Sequence, residues 1–362
     1  MSERIRVKTK ELEQFTIEIL KKSGLSQEDA SITAEVLLSA DMRGIESHGV
    51  ARLKRYVDGI KNGIIKTGIQ PKTIKETPVS LVVDGEGGMG QPVAYKTMQR
   101  CIEKAKKSYI CFASIRNSNH YGIAGFYTLM ALKENFIGIS LTNSAPLVVP
   151  TFAKDAIVGT NPISVGVPAG KEKPFLLDMA TSTVPRGKLE VYSRKGESIP
   201  ESWATDENGV PTSDPARVLD NLLGRKGGGL LPLGGGTELT GGHKGYGLGA
   251  IVDIFSGALS SGAMGKDVYG KKGSPAEVAH FLGVINPEAF MGTEELKKNM
   301  DNYIQMLKGA NRANQDVKIY IAGEKEYDAT EKNRDSLTLQ NKVFTIINEI
   351  GSEFGLTLGE DK

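Results

Sequence analysis

Apolar positions recur at helical spacing from the start of the chain. Behind Thr9, residues Leu12, Phe15, Ile19 and Leu20 share one face, and the stretch stops at Gly24, which predicts a helix from Thr9 to about Ser23. Ser26 followed by Asp29 opens a second helix carrying Ile32, Val36 and Leu37 and ending near Gly44, and Ser47 caps a third from His48 to about Asn62. From Pro78 the pattern changes. A strand at 80–83, a helix at 94–107 and a strand at 109–115 are followed by short β-branched runs at 136–142, 156–160, 163–167 and 175–179. Several of these lie too close together for helical crossovers, so the sheet must be mixed and partly antiparallel. Beyond a stretch with 12 glycines in the 26 residues 224–249, Leu248, Ile251, Val252, Ile254, Phe255 and Leu259 predict a buried helix broken at Gly257 or just after Ser261. A strand at 281–285, a helix from about Thr293 to Leu307, a strand at 317–323 and a helix from about Leu337 to Phe354 complete the chain. The expected organisation is a helical segment at 1–75, a mixed-sheet domain at 76–290 and a C-terminal part at 291–362 that packs back on the helical lobe.

Composition removes several function classes. The 45 Lys plus Arg stand against 43 Asp plus Glu, a formal charge of +2 with no clustered basic excess, so a nucleic-acid partner is not expected. No 18 apolar residues run together, and the start, MSERIRVKTKELEQF, has no apolar segment; a soluble cytoplasmic protein without a membrane partner is expected. Cys101 and Cys111 belong to no CxxC pair and read as small buried side chains in a reducing compartment. His48, His120, His243 and His280 show no zinc spacing, so no metal site is expected. Glycine is in excess, 43 of 362 residues or about 12% against a usual value of about 7%. In an otherwise ordinary globular composition these glycines should occupy specific backbone positions, although the run 224–236 reads only as a mobile surface loop.

Four segments carry candidate chemistry. Gly85, Gly87 and Gly90 in DGEGGMG spell GxGxxG between a strand and a helix, the context of a dinucleotide fingerprint. The next strand ends in Arg116 rather than an acidic residue, and Asp84 would oppose a pyrophosphate, so a tight turn without a ligand explains the same glycines. In SHGVARLKRY, His48, Arg52 and Tyr56 are spaced i, i+4 and i+8, drifting about 40° per step on a helix. A titratable ring, a guanidinium and a phenol in one row suit a small anionic substrate, and read equally as a structural polar face. His120 in RNSNHYGIAG follows a strand and precedes a glycine-flanked helix start, where sites are built and where a histidine also simply caps a turn. In GGHKGYG, His243 and Lys244 at the start of an apolar helix form an anion site or a solvated glycine loop.

Read in order, ADMRGIESHGVARLKRY, VDGEGGMGQ, RNSNHYGIAGFY, LTNSAPLVVP, GTNPIS, FLLDMATS and GGHKGYGLGAIVDIFSGALS resemble the malate/L-lactate dehydrogenase family that lacks the Rossmann fold. The resemblance implies an α/β fold with a mixed, largely antiparallel sheet wrapped by helices and a small helical lobe. It also implies NAD or NADP as cofactor, a small 2-oxo/2-hydroxy acid as substrate, and a homodimer. By position, the acid/base histidines fall on His48 and His120, and the substrate-binding residues on Arg52 and Tyr56. Cofactor contacts fall on Ser144, on Asp178, Met179, Ala180, Thr181 and Ser182, on His243 and Lys244, and on Gly323, Glu324 and Lys325. DGEGGMG matches a structural segment. The likeness to archaeal-type malate dehydrogenases makes malate/oxaloacetate the first expectation, with lactate, sulfolactate and other 2-hydroxy acids open. The rivals are a Rossmann methyltransferase or dehydrogenase built on Gly85 to Gly90, and a non-catalytic ligand-binding protein.

Overall fold

The computed structural model describes residues 4–270, 273 and 275–361. Strand β1 (Arg4–Lys8) leads into α1 (Thr9–Lys22) and α2 (Gln27–Met42), the second capped as expected by Ser26, whose Oγ accepts the Asp29 N–H at 3.1 Å. The third helix differs from expectation. Two 3₁₀ turns, Glu46–His48 and Val50–Arg52, precede a shorter α3 (Leu53–Lys61). The break falls at Gly49, where a Cβ would lie 1.9 Å from Asp41 Oδ1. The Asp41 carboxylate instead accepts the Val50 N–H at 2.7 Å and pins the turn to the end of α2, so His48, Arg52 and Tyr56 do not form one helical row.

Next come β2 (Lys72–Thr77), β3 (Ser80–Asp84), α4 (Gly90–Ser108), β4 (Ile110–Ser118), α5 (Ala124–Lys133), β5 (Ile137–Thr142), β6 (Ile163–Val167) and β7 (Phe175–Met179). The expected strand at 156–160 contributes only an isolated bridge between Val148 and Val158. From β7 the chain enters a small lobe of α6 (Arg186–Lys195), β8 (Ala204–Thr205), α7 (Pro215–Gly224) and β9 (Gly229–Leu230), built around Val148, Leu189, Val218 and Leu230. Part of the glycine run is packed against neighbouring backbone. Gly227, Gly228 and Gly229 have positive φ, and Cβ atoms on them would meet Glu207 O at 2.8 Å, Asp206 O at 2.4 Å and Leu147 O at 2.7 Å, so only glycine closes this packed turn.

Helix α8 (Gly242–Ser256) returns across the sheet, and β10 (Val278–Ile285) inserts between β4 and β5. The seven-stranded order is β2-β3-β4-β10-β5-β6-β7; β3 and β4 are parallel and joined by α4, and every other pairing is antiparallel. The sheet is thus mixed and largely antiparallel, and among the described residues its one βαβ unit is the one that carries GxGxxG. Helices α2, α4 and α5 bury one face of it, and α8 covers the other through Val252 against Leu141 and Phe281. The expectation that α8 is buried fails on its outer side, where Ile251, Ile254 and Phe255 are 44%, 49% and 40% exposed.

The chain ends with α9 (Thr293–Lys308), α10 (Glu324–Lys332), β11 (Ser336–Gln340) and α11 (Asn341–Ser352). The expected strand at 317–323 is irregular, and the last helix starts only at Asn341 because Ser336–Gln340 pairs antiparallel with β1. That pairing ties both ends of the chain into one core containing Leu12, Leu20, Leu37, Leu53, Leu337 and Ile347. Among the described residues no helix is long and apolar enough to cross a membrane.

Candidate active site

His120 sits in the turn between β4 and α5, and Tyr56 reaches it from α3. The Tyr56 hydroxyl lies 2.7 Å from His120 Nδ1, and the Gly122 N–H donates to the same nitrogen at 3.3 Å. An N–H cannot accept, so Nδ1 carries the lone pair and the proton of the neutral ring sits on Nε2, the edge left without a protein partner among the described residues. Burial raises the Tyr56 phenol to about 12, which keeps it a donor. Burial, and then the charges of Arg55, His48 and Arg52, hold His120 well below the ordinary imidazole range. The fully buried Gln91 carboxamide lies beside Tyr56 and has no hydrogen-bond partner among the described residues.

His48 stacks on His120 with centroids 5.5 Å apart and 26° between the planes. Its Nδ1 faces Ser47 Oγ at 2.9 Å, and burial followed by the Arg52 and Arg55 charges lowers it to about 4. Arg52 fixes its own fork by donating from Nε to Ser47 O at 2.6 Å, which leaves the two terminal nitrogens for a ligand. So the four residues expected from SHGVARLKRY and RNSNHYG converge, although through two 3₁₀ turns rather than one helix face. Asp41, which holds those turns, escaped the sequence reading. Its signal was a carboxylate at a buried position of α2, where burial raises it to about 7.

DGEGGMG supports this cluster. Asn119 Nδ2 donates to Gly87 O at 3.0 Å and Gly88 O at 2.8 Å, while Asp84 accepts from Arg116 and Asn117, each at 2.9 Å. A Cβ on Gly90 would lie 2.2 Å from Asn119 O and 2.5 Å from His120 O. The space a pyrophosphate would need is filled by the backbone that presents His120, which removes the Rossmann rival.

The expected cofactor positions gather in two places. Around the start of α8, Ser144 Oγ accepts the Thr160 N–H at 3.0 Å, Thr181 Oγ1 donates to Asn161 O at 3.1 Å, and Thr181 O accepts the Leu233 N–H at 2.9 Å. Ser182 is turned inward, donating to Val184 O at 2.9 Å. A buried carboxylate, Asp253, accepts from Asn143 at 3.1 Å and Asn161 at 3.0 Å and locks α8 to the ends of β5 and β6; it too escaped the sequence reading. Helix α8 has no side-chain N-cap; it begins at Gly241 with φ 85° and exposes His243 and Lys244 in its first turn, a donor set that fits a phosphate. At the sheet edge, Asp178 Oδ2 accepts the Gly125 N–H at 2.8 Å, linking β7 to the start of α5 a few residues beyond His120, and Met179 pairs with Ile163 just before Ala180. Gly323, φ 89°, caps α10 and would place a Cβ 2.8 Å from Leu176 of β7. Glu324 is held by Lys318 at 2.9 Å and Lys308 at 3.2 Å, which with the Ile321 N–H bring it to about 2, and Lys325 lies 4.5 Å over the Tyr320 ring. No contact joins Glu324 or Lys325 to the histidine cluster among the described residues.

A mixed sheet wrapped by helices, with an imidazole pair, a guanidinium and a phenol at one turn, is the frame of a non-Rossmann hydroxy-acid dehydrogenase. Residues 7–348 match the family model described as malate/L-lactate dehydrogenase, and the chain belongs to that family. It is 48% identical to a malate dehydrogenase of Pyrococcus abyssi, over 97% of this chain and 96% of that one. It is also 37% identical to an L-sulfolactate dehydrogenase of Methanocaldococcus jannaschii, over 95% and 96%. The crystal structure of malate dehydrogenase from Entamoeba histolytica superposes with a TM-score of 0.94 at 36% identity, covering 98% of this chain and 99% of that one.

Proposed function

We propose that the chain is a malate dehydrogenase, interconverting oxaloacetate and malate with NAD or NADP as cofactor and working as a homodimer. The observation that carries this reading is the stacked pair His48 and His120 beside Arg52, with the Tyr56 hydroxyl 2.7 Å from His120. A nicotinamide dinucleotide, when bound, would supply the hydride for the carbonyl carbon. Arg52 receives the carboxylate beside that carbonyl on its two terminal nitrogens, and His120, as the imidazolium formed when the bound dianion offsets the arginine charges, meets the carbonyl oxygen with Nε2–H, gives that proton to the nascent alkoxide and is left as the neutral ring, His48 being the alternative donor. General acid catalysis of this kind is worth about 10²–10⁴ in rate. Ser144, the run Asp178 to Ser182, His243, Lys244 and Gly323 to Lys325 would hold the dinucleotide, with Lys244 and the first turn of α8 at its phosphates. The exposed apolar side of α8 supports the homodimer.

The test is the oxaloacetate-dependent oxidation of NADH or NADPH by the wild type, His48→Ala and His120→Ala. The expected outcome is that at least one variant loses about 10²-fold or more in kcat with cofactor affinity unchanged. Full activity in both would overturn the histidine mechanism.

A further inference from the structure

The turn that carries Arg52 also carries a second guanidinium without a counter-charge. Arg52 is the N-cap of α3 and Arg55 lies three residues on, so the two are neighbours on the helix surface. Arg55 donates to the Tyr269 hydroxyl and lies over the Tyr269 ring, with Cζ 5.5 Å from the centroid. Among the described residues neither arginine has a carboxylate within ion-pair distance. Glu190, the carboxylate that acts on Arg52, is itself paired with Arg186 at 3.1 Å. The charges of both arginines reach His48, His120 and Tyr56, so they border one site, and the depressed imidazoles add no negative charge to it. Such a site carries two positive charges in excess until a ligand arrives, and a monocarboxylate would cancel only one.

We propose that Arg55, held by Tyr269, is a specificity-determining residue: it binds the distal acid group of a dianionic 2-oxo acid, a carboxylate or a sulfonate, while Arg52 binds the carboxylate beside the carbonyl. This rests on the dehydrogenase reading above. It makes dicarboxylates and sulfo-carboxylates the substrate class and places 2-oxo monoacids at a disadvantage.

The experiment measures kcat/KM of the wild type and of Arg55→Met for oxaloacetate and for pyruvate, which lacks the distal carboxylate, at saturating cofactor. Arg55→Met is expected to lose about 10²-fold on oxaloacetate, mostly in KM, and less than about threefold on pyruvate. Arg55→Lys, which keeps the charge without the planar fork, should fall between and provides a reading if the methionine variant does not fold. Equal losses on both acids, or an unchanged ratio in Arg55→Lys and Arg55→Met, would overturn the role of Arg55 and leave the dehydrogenase intact. A wild type inactive on both acids and on sulfopyruvate would overturn the underlying reading instead.

Discussion

At the scale of single residues, the resting site is defined by imidazoles that are neutral because they are buried beside two arginines. Oxaloacetate neutralises guanidinium charge on binding, which removes part of what depresses His120 and His48, so the substrate dianion should bring a proton with it. Titration of a non-reducible dicarboxylate in two buffers of different ionisation enthalpy near pH 7 should therefore show net proton uptake; no uptake would contradict the charge-coupled site. Stability carries a separate signature. His48 and His280 are lowered from 6.5 to about 4 and about 3, so the unfolded chain binds protons first as pH falls. Their contribution is complete above 6.5 and is lost below it. Asp41 and Asp178 are raised from 3.8 to about 7 and about 6, which has the opposite sign: their contribution is complete below 3.8 and is lost as pH rises through 6 to 7. Asp41→Asn keeps an acceptor for Val50 and removes that loss, so its melting temperature relative to the wild type should rise between pH 5 and pH 8. A constant difference would contradict a buried, raised Asp41. Residue chemistry was the most legible level: His48, Arg52, Tyr56 and His120 were named from their motifs and do converge. Asp41 and Arg55 are not legible there, because each acts through a contact across elements that spacing along the chain does not encode.

At the scale of elements, glycine placement explains both what was read correctly and what was not. The mixed sheet followed from strands too closely spaced for crossovers, whereas the third helix was drawn too long because periodicity is blind to Gly49 pressing on Asp41. Helix α6 is not legible in the sequence because it buries only Leu189 and so has no apolar stripe to detect. Strand β11 reads as part of a helix until its pairing with β1 is known. The GxGxxG turn gives a direct test. Gly90→Ala forces a Cβ into Asn119 O and His120 O and should cost about 1–3 kcal/mol in stability and displace His120, lowering kcat. Cofactor binding should separate the two glycine loops: Lys244→Ala is expected to weaken NADH or NADPH binding about tenfold, read by cofactor fluorescence, and Gly87→Ala to leave it nearly unchanged. The reverse pattern would place the dinucleotide at the wrong loop.

At the scale of the whole molecule, α8 joins three functions. Its N-terminal turn faces the proposed phosphates, Asp253 locks it to the sheet, and its outer side presents Ile251, Ile254 and Phe255, with Leu259 just beyond, to solvent. A sequence reader expects such a helix inside a core; an exposed apolar face of this size instead fits a second copy of the chain. Ile254→Asp combined with Leu259→Asp should convert a dimer to a monomer in sedimentation velocity, and a wild type that sediments as a monomer would contradict the homodimer. The central claim is that this fold reduces 2-oxo acids with a nicotinamide cofactor, and absorbance at 340 nm tests it most directly. NADH and NADPH are each mixed with the wild-type protein and oxaloacetate, pyruvate or sulfopyruvate. Oxidation of at least one cofactor, fastest with a dianionic acid, is the predicted result, and no oxidation of either with any of the three would contradict the account.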